Sequence, residues 1–249
     1  QLSNGNTLTA GLLVLADGGR SELADELNFK RSSEDYGQSA LIANVQFSEP
    51  HNGWAHERFT PNGPLALLPF AEDDSSAYAN CYSLVWTLSH DEAEAALAWP
   101  QTQFINRLQQ QIGYRHGLIN KVGSRHSYPL VLNQIREFTG HRCVVVGNGA
   151  QALHPIAGQG FNLGLRDVLA LADTLESAND PGAFAVLNQY RQTRVKDKTT
   201  TIGLTDGLVR LFSNRYAPLV AGRNAGLLAM EFCDGLSQKF VRQTMGFGQ

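Results

Sequence analysis

The residues best suited to chemistry are concentrated in GNGAQALHPIAGQGFNLGLRD (147–167), where five glycines, at 147, 149, 158, 160 and 164, fall between an apolar run and a helical pattern. Glycines at such a junction let the backbone approach a ligand closely. They also leave several N–H groups pointing outward at the positive end of a helix dipole. The chemistry that fits is the binding of an anion or an electron-rich carbonyl, although the same glycines also serve plain tight turns. A phosphate loop is excluded, because no Gly-Lys followed by Ser or Thr occurs here. Gly158, Gly160 and Gly164 imitate a dinucleotide fingerprint, but a long loop separates them from the preceding strand.

A second stretch, LADGGRSEL (15–23), places Asp17 and Gly18 directly after an apolar run. A carboxylate and a glycine at a strand end can hydrogen-bond ribose or diphosphate oxygens, directly or through water. The same dipeptide is a common turn signal. His154, next to Pro155, is either a base for proton transfer or a side chain that hydrogen-bonds its own loop. Arg58 is either a solvated strand residue or a pocket contact.

These stretches need elements to hold them. The Asn4-Gly5 turn is followed by an apolar run over 11–16 that reads as a buried strand. Runs at 41–47, 54–59, 64–70 and 82–88, with a returning strand at 124–132, read as a hairpin-rich antiparallel sheet interrupted by one helix over 91–112. PLALLP within 64–70 either lines an apolar pocket or packs as ordinary core. At CVVVG (143–147) the pattern changes to a continuous apolar run of the parallel-sheet kind. A helix over 160–176 carries Phe161, Leu165, Val168, Leu169, Ala172 and Leu175 as one apolar face, and helices follow over 183–212 and 219–232.

Composition bounds the partners. With 20 Lys and Arg against 23 Asp and Glu in 249 residues, the net charge of −3 offers no basic footprint for nucleic acid. At 43% hydrophobic and 17% charged, the chain is globular material. No apolar run approaches the roughly 18 residues of a membrane span, and the longest candidate is interrupted by Arg223. Cys81, Cys143 and Cys233 lack metal-ligand spacing, so no metal is expected and a cytoplasmic, reducing compartment fits.

Taken in order, the two chemical stretches resemble the class A FAD-dependent aromatic monooxygenases. ADGGRS resembles that family's DGxxS motif, and 147–167 resembles its GDAAHxxxPxxGQGxNxGxxD motif at Gly147, Ala150, Pro155, Gly158, Gln159, Gly160, Asn162, Gly164 and Asp167. GPLALLP, SLVW, YPL and TDGLVRLFSNRYAPLVAGRNAGL are similar to the ubiquinone-biosynthesis branch. Asn148 and Gln151 stand where the family usually has Asp and His, a combination that resembles the hydroxylases of 2-octaprenyl-6-methoxyphenol.

The resemblance implies an α/β (α+β) fold of the para-hydroxybenzoate-hydroxylase kind: an antiparallel substrate sheet, part of an FAD-binding domain and C-terminal helices. It implies domains over 1–34 and 136–180 for FAD, 35–135 for substrate and 181–249 for the helices. Asp17, Gly18, Gly147, Asn148, Gly158, Gln159, Gly160, Phe161 and Asn162 are then cofactor-binding, with Pro155 beside the flavin ring and His154 the nearest base. The implied reaction uses NAD(P)H and O₂. A flavin C4a-hydroperoxide hydroxylates a prenylated phenol, and other ubiquinone-biosynthesis proteins and peripheral membrane association are compatible with it. The family's opening GxGxxG region has no counterpart in the sequence, so the chain is expected to match about the C-terminal three fifths of such an enzyme and to be inactive alone. Two other readings stay open: a flavin hydroxylase of another aromatic, and a non-catalytic module that holds a prenylated phenol.

Overall fold

The computed structural model describes residues 3–19, 22–70, 78–154, 158–212 and 216–233, with positions 235 and 238. The chain divides into two compact units, one of residues 1–34 and 131–207 and the other of residues 35–130 and 208–249. The crossings fall inside two strands, β2 (Arg31–Phe47) and β7 (His126–Ile135), and inside the long helix α5 (Phe184–Phe212).

In the second unit, β2 pairs with β5 (Cys81–Ser89), β5 with β4 (Gly63–Pro69) and β4 with β3 (His56–Thr60), all antiparallel; β6 (Ile119–Val122) pairs with the end of β2. Register follows from the period-two pattern, since a slip of one residue would turn every apolar side chain to the other face. Leu41, Trp86 and Leu65 align in one row across the strands, and Ala43, Leu84 and Leu67 in the next, all buried. The inward face of PLALLP does both: Leu65 and Leu67 pack in the cluster with Phe104 and Leu108, and they also line a cavity with His56, Arg58, Ile112 and His116.

That face is covered by α2 (His90–Ala98) and α3 (Gln101–Ile112). The single helix expected over 91–112 is broken at Pro100, which has no N–H to donate and clashes with a preceding turn. Ser89 caps α2, accepting the Glu92 N–H, and its hydroxyl donates to the Glu92 carboxylate. Phe104 has no exposed surface; its ring meets Trp86 edge-on at 5.8 Å, and the Arg125 guanidinium lies 5.0 Å over it.

The first unit has a three-stranded sheet in which β1 (Leu13–Leu15) pairs parallel with β9 (Cys143–Val145), and β8 (Thr139–Gly140) pairs antiparallel with β9. β10 (Gln151–Ala152) adds antiparallel to the end of β7. A short helix, α1 (Leu23–Glu26), follows β1, and α4 (Gln159–Glu176) follows the glycine-rich loop. Its core holds Leu15, Phe29, Ile135, Phe138, Val144, Val145, Leu171, Leu187 and Tyr190.

Two expectations change here. The strand over 11–16 is shorter, and Leu13 and Val14 are exposed, because β1 is an edge paired only with β9 among the described residues. The stripe Phe161, Leu165, Val168 and Leu169 on α4 is exposed as well; the buried face is Leu163, Asp167 and Leu171. The last helix, α6 (Ala217–Phe232), starts with Pro218 in its first turn, where a missing N–H costs nothing.

Truncating Phe104 to Ala leaves a cavity under the sheet. The expected cost is about 3–5 kcal/mol, read as a lower urea midpoint for unfolding.

Candidate functional site

Parallel pairing of β1 and β9, in the register Leu13 with Cys143 through Leu15 with Val145, brings the C-terminal ends of both strands to one edge. The Val146 N–H donates to the Leu15 carbonyl at 3.0 Å and continues the ladder up to that edge. In open α/β sheets, ligands bind outside the carboxyl ends of the strands. Both chemical stretches begin there.

After β1 the chain turns at Asp17, whose Oδ1 accepts the Gly19 N–H at 2.9 Å; Gly18 and Gly19 are left-handed, with φ of 72° and 74°. After β9 it makes a 3-10 turn over Gly147–Gly149, entered through a left-handed Gly147. The turns touch: a Cβ on Gly19 would lie 3.5 Å from the Gly149 Cα and 3.6 Å from the Asn148 carbonyl oxygen. A Cβ on Gly149 would lie 3.2 Å from a Val145 methyl and 3.5 Å from the Asp17 carboxylate. The two turns therefore pack in van der Waals reach of each other. Asp17, Gly18 and Asn148 are exposed on them.

α4 approaches the same turn, and a Cβ on Gly164 would come within 3.3 Å of the Gly147 Cα. Its N-terminus is entered from a left-handed Gly158, with no side-chain cap and no acid in the first turn. With no side-chain cap, the positive dipole end suits an anion or carbonyl oxygen. A Cβ on Gly160 would meet none of the described residues within 4 Å, so the space beside the first turn is open among them; Phe161 and Asn162 are exposed there. Asp17, Gly18, Gly147 and Asn148 are thus gathered on adjoining turns, with residues 158–162 forming the start of the helix packed on them. Pro155 lies outside the described residues.

His154 is separated from solvent, at 1% exposure. Burial lowers its pKa from the usual 6.5 to about 4, so the ring is neutral at physiological pH. A base this weak and this enclosed is poorly matched to proton transfer near neutrality.

Beneath the turns lies a group of charges with little counterpart in the sequence reading. Asp167 has no exposed surface, and its carboxylate accepts from the Gly147 N–H at 3.2 Å, Gln151 Nε2 at 2.8 Å and Arg194 Nε at 2.9 Å; Lys198 Nζ lies 2.9 Å away. Arg194 also pairs with Asp197, which pairs in turn with Arg166. Burial pushes the Lys198 pKa down, opposed by Asp167. Arg194 and Lys198 sit in step with the buried residues Leu187, Tyr190, Ile202, Thr205 and Val209 of α5. Two charges on an otherwise buried helical stripe were the available signal. The network also explains the rotation of α4, since Asp167 must face inward and the predicted apolar stripe then faces out.

A family model described as an FAD binding domain matches residues 1–202. The chain belongs to this FAD-binding family. Ubiquinone hydroxylase UbiL of Rhodospirillum rubrum is 40% identical over 249 aligned residues, covering 98% of this chain and 56% of UbiL. The mitochondrial ubiquinone biosynthesis monooxygenase COQ6 of Danio rerio is 30% identical, covering 96% of this chain and 56% of that protein. The chain therefore spans little more than half the length of these relatives. A variant of HpxO from Klebsiella pneumoniae, solved in complex with FAD, superposes with a TM-score of 0.70 at 14% identity over 96% of this chain and 63% of that one. That likeness concerns the fold, which is the α/β, para-hydroxybenzoate-hydroxylase-like architecture expected from the motifs.

Two measurements follow. Replacing Asp167 with Leu strands the buried Lys198 ammonium without its paired carboxylate and leaves Arg194 to Asp197 alone, and a loss of about 3–5 kcal/mol is expected in chemical denaturation. For His154, the unfolded chain binds the proton more tightly between pH 6.5 and about 4, so the ring's contribution is complete above 6.5 and is lost as pH falls through that window. The shift amounts to about 3 kcal/mol. The pH dependence of the unfolding midpoint should be shallower in His154→Leu than in the wild type between these limits.

Proposed function

We propose that the adjoining turns Asp17–Gly19 and Gly147–Gly149, with the first turn of α4, hold the FAD of a hydroxylase. The observation that carries this reading is the meeting of both glycine turns at the carboxyl edge of the β1/β9 pair, against an uncapped helix N-terminus. The donor set fits: Asp17 accepts from hydroxyl groups, and Asn148 both accepts and donates where the family's usual Asp only accepts. The N–H groups over 159–162 stabilise negative charge on an electron-rich ring edge. The open space beside Gly160 admits a planar ring close to the backbone.

The chemistry a bound FAD supplies is hydride acceptance from NAD(P)H and activation of O₂ for transfer of one oxygen atom to an aromatic ring. This chain's part is to bind, to orient and to hold charge. His154 takes no proton in this reading, since its ring is buried and neutral. The substrate is a prenylated phenol of the 2-octaprenyl-6-methoxyphenol type. Support comes from Asn148 and Gln151 at the two departures from the family motif, and from the names of the relatives, ubiquinone hydroxylase UbiL and ubiquinone biosynthesis monooxygenase COQ6. Among the described residues, no helix is long and apolar enough to cross a membrane. In this reading a lipid-tailed substrate is met at a membrane surface.

Gly160→Val tests the assignment. Among the described residues no neighbour lies within 4 Å of the new Cβ, so the variant is expected to fold, with its unfolding free energy within about 1 kcal/mol of wild type. Its side chain occupies the space assigned to the ring, so flavin-fluorescence titration of the whole protein should show FAD binding lost. Wild-type affinity in that variant would sink the assignment.

A further inference from the structure

The buried charges beneath the Gly147–Gly149 turn are arranged around one amide. Gln151 Oε1 accepts from Lys198 Nζ at 2.6 Å, and its Nε2 donates to Asp167 Oδ2 at 2.8 Å. A flipped amide would put its NH₂ against the ammonium and its oxygen against the carboxylate. Lys198 and Asp167 together therefore select one orientation. The Lys198 ammonium has three donors and three acceptors: Gln151, Asp167 and the Phe138 ring, whose centroid is 4.0 Å away. With Lys198 5% exposed and Gln151 2% exposed, water does not compete for these bonds.

The same Asp167 oxygen that accepts from Gln151 also accepts the Gly147 N–H. Its contacts thus pin the segment 147–151 at both ends. At the far end Gln151 enters β10, in register with Gln134 of β7, and the preceding Ala150 carbonyl accepts the Ile135 N–H at 2.8 Å. Between the pinned ends sits Asn148, exposed.

We propose that Lys198 is a positioning residue: by fixing the Gln151 amide it fixes the 147–151 turn and the presentation of Asn148 to the cofactor. The inference rests on the cofactor reading above for its functional half, while its structural half stands without it. An amide is suited to residue 151 because it accepts on one side and donates on the other. A neutral imidazole can do the same with its two ring nitrogens, whereas an aliphatic side chain does neither.

The test uses the whole protein and three variants, Lys198→Met, Gln151→Leu and Gln151→His, each checked for fold by circular dichroism. Hydrogen exchange of the 147–151 amides is measured without FAD, and FAD affinity and the visible spectrum of the bound flavin are measured separately. Lys198→Met and Gln151→Leu are expected to speed exchange in that segment and weaken FAD binding, each by about tenfold or more, with a shifted flavin spectrum. Gln151→His should return to within about threefold of wild type on both readouts. If Lys198→Met does not fold, Gln151→Leu against Gln151→His carries the same comparison. Unchanged exchange in Lys198→Met and Gln151→Leu overturns the positioning role itself. Faster exchange with unaltered FAD affinity and spectrum overturns its link to the cofactor, and the failure then lies with the cofactor reading.

Discussion

A carboxylate with no exposed surface is the constraint around which the first unit is arranged. Asp167 is compatible with burial only because Arg194, Lys198, Gln151 and the Gly147 backbone all point at it. A buried ion without partners is expensive, and a paired one is close to neutral in stability. The value of such a group lies in geometry: it leaves few arrangements in which every donor and acceptor is met. Here it ties α4, α5 and the turn after β9 into one relative placement.

That placement has two consequences for the site. The rotation of α4 that points Asp167 inward also sets Gly164 against Gly147 and leaves the first turn of the helix uncapped. The turn held from below by Asp167 is also the one packed against Asp17–Gly19 from the side, where Gly19 and Gly149 bring the two backbones close together. A parallel strand pair, a helix end and a buried ion cluster converge on one edge. Each alone is common, and their coincidence gives the edge its binding character.

The strands of the second unit were legible in the sequence because period-two alternation is local: Leu41, Ala43, Val45 and Phe47 state their own face. Both glycine turns were legible too, since Asp17-Gly18 and Gly147 to Gly149 sit immediately after apolar runs. What escaped was long-range. The i, i+3, i+4 stripe on α4 read as its buried face, but polar partners 27 and 31 residues on, Arg194 and Lys198, decided its rotation. An apolar count carries no information about a charge that is buried because of a distant counter-charge. The break at Pro100 was available locally and was outweighed by the helical pattern on both sides. For His154, position beside the glycine loop left a base and a loop-bonding side chain both open, and burial, which depends on residues distant in sequence, is what weighs against the base.

The central claim is that the edge formed by the two glycine turns and the start of α4 is where FAD is held. A crystal structure of the whole protein with FAD tests it most directly. The account predicts flavin-ring oxygens within hydrogen-bond reach of backbone N–H groups over 159–162, and FAD hydroxyl or diphosphate oxygens at Asp17, Gly18 or Asn148. Flavin density seated elsewhere, with the α4 N-terminus and both turns making no contact to it, would contradict the account.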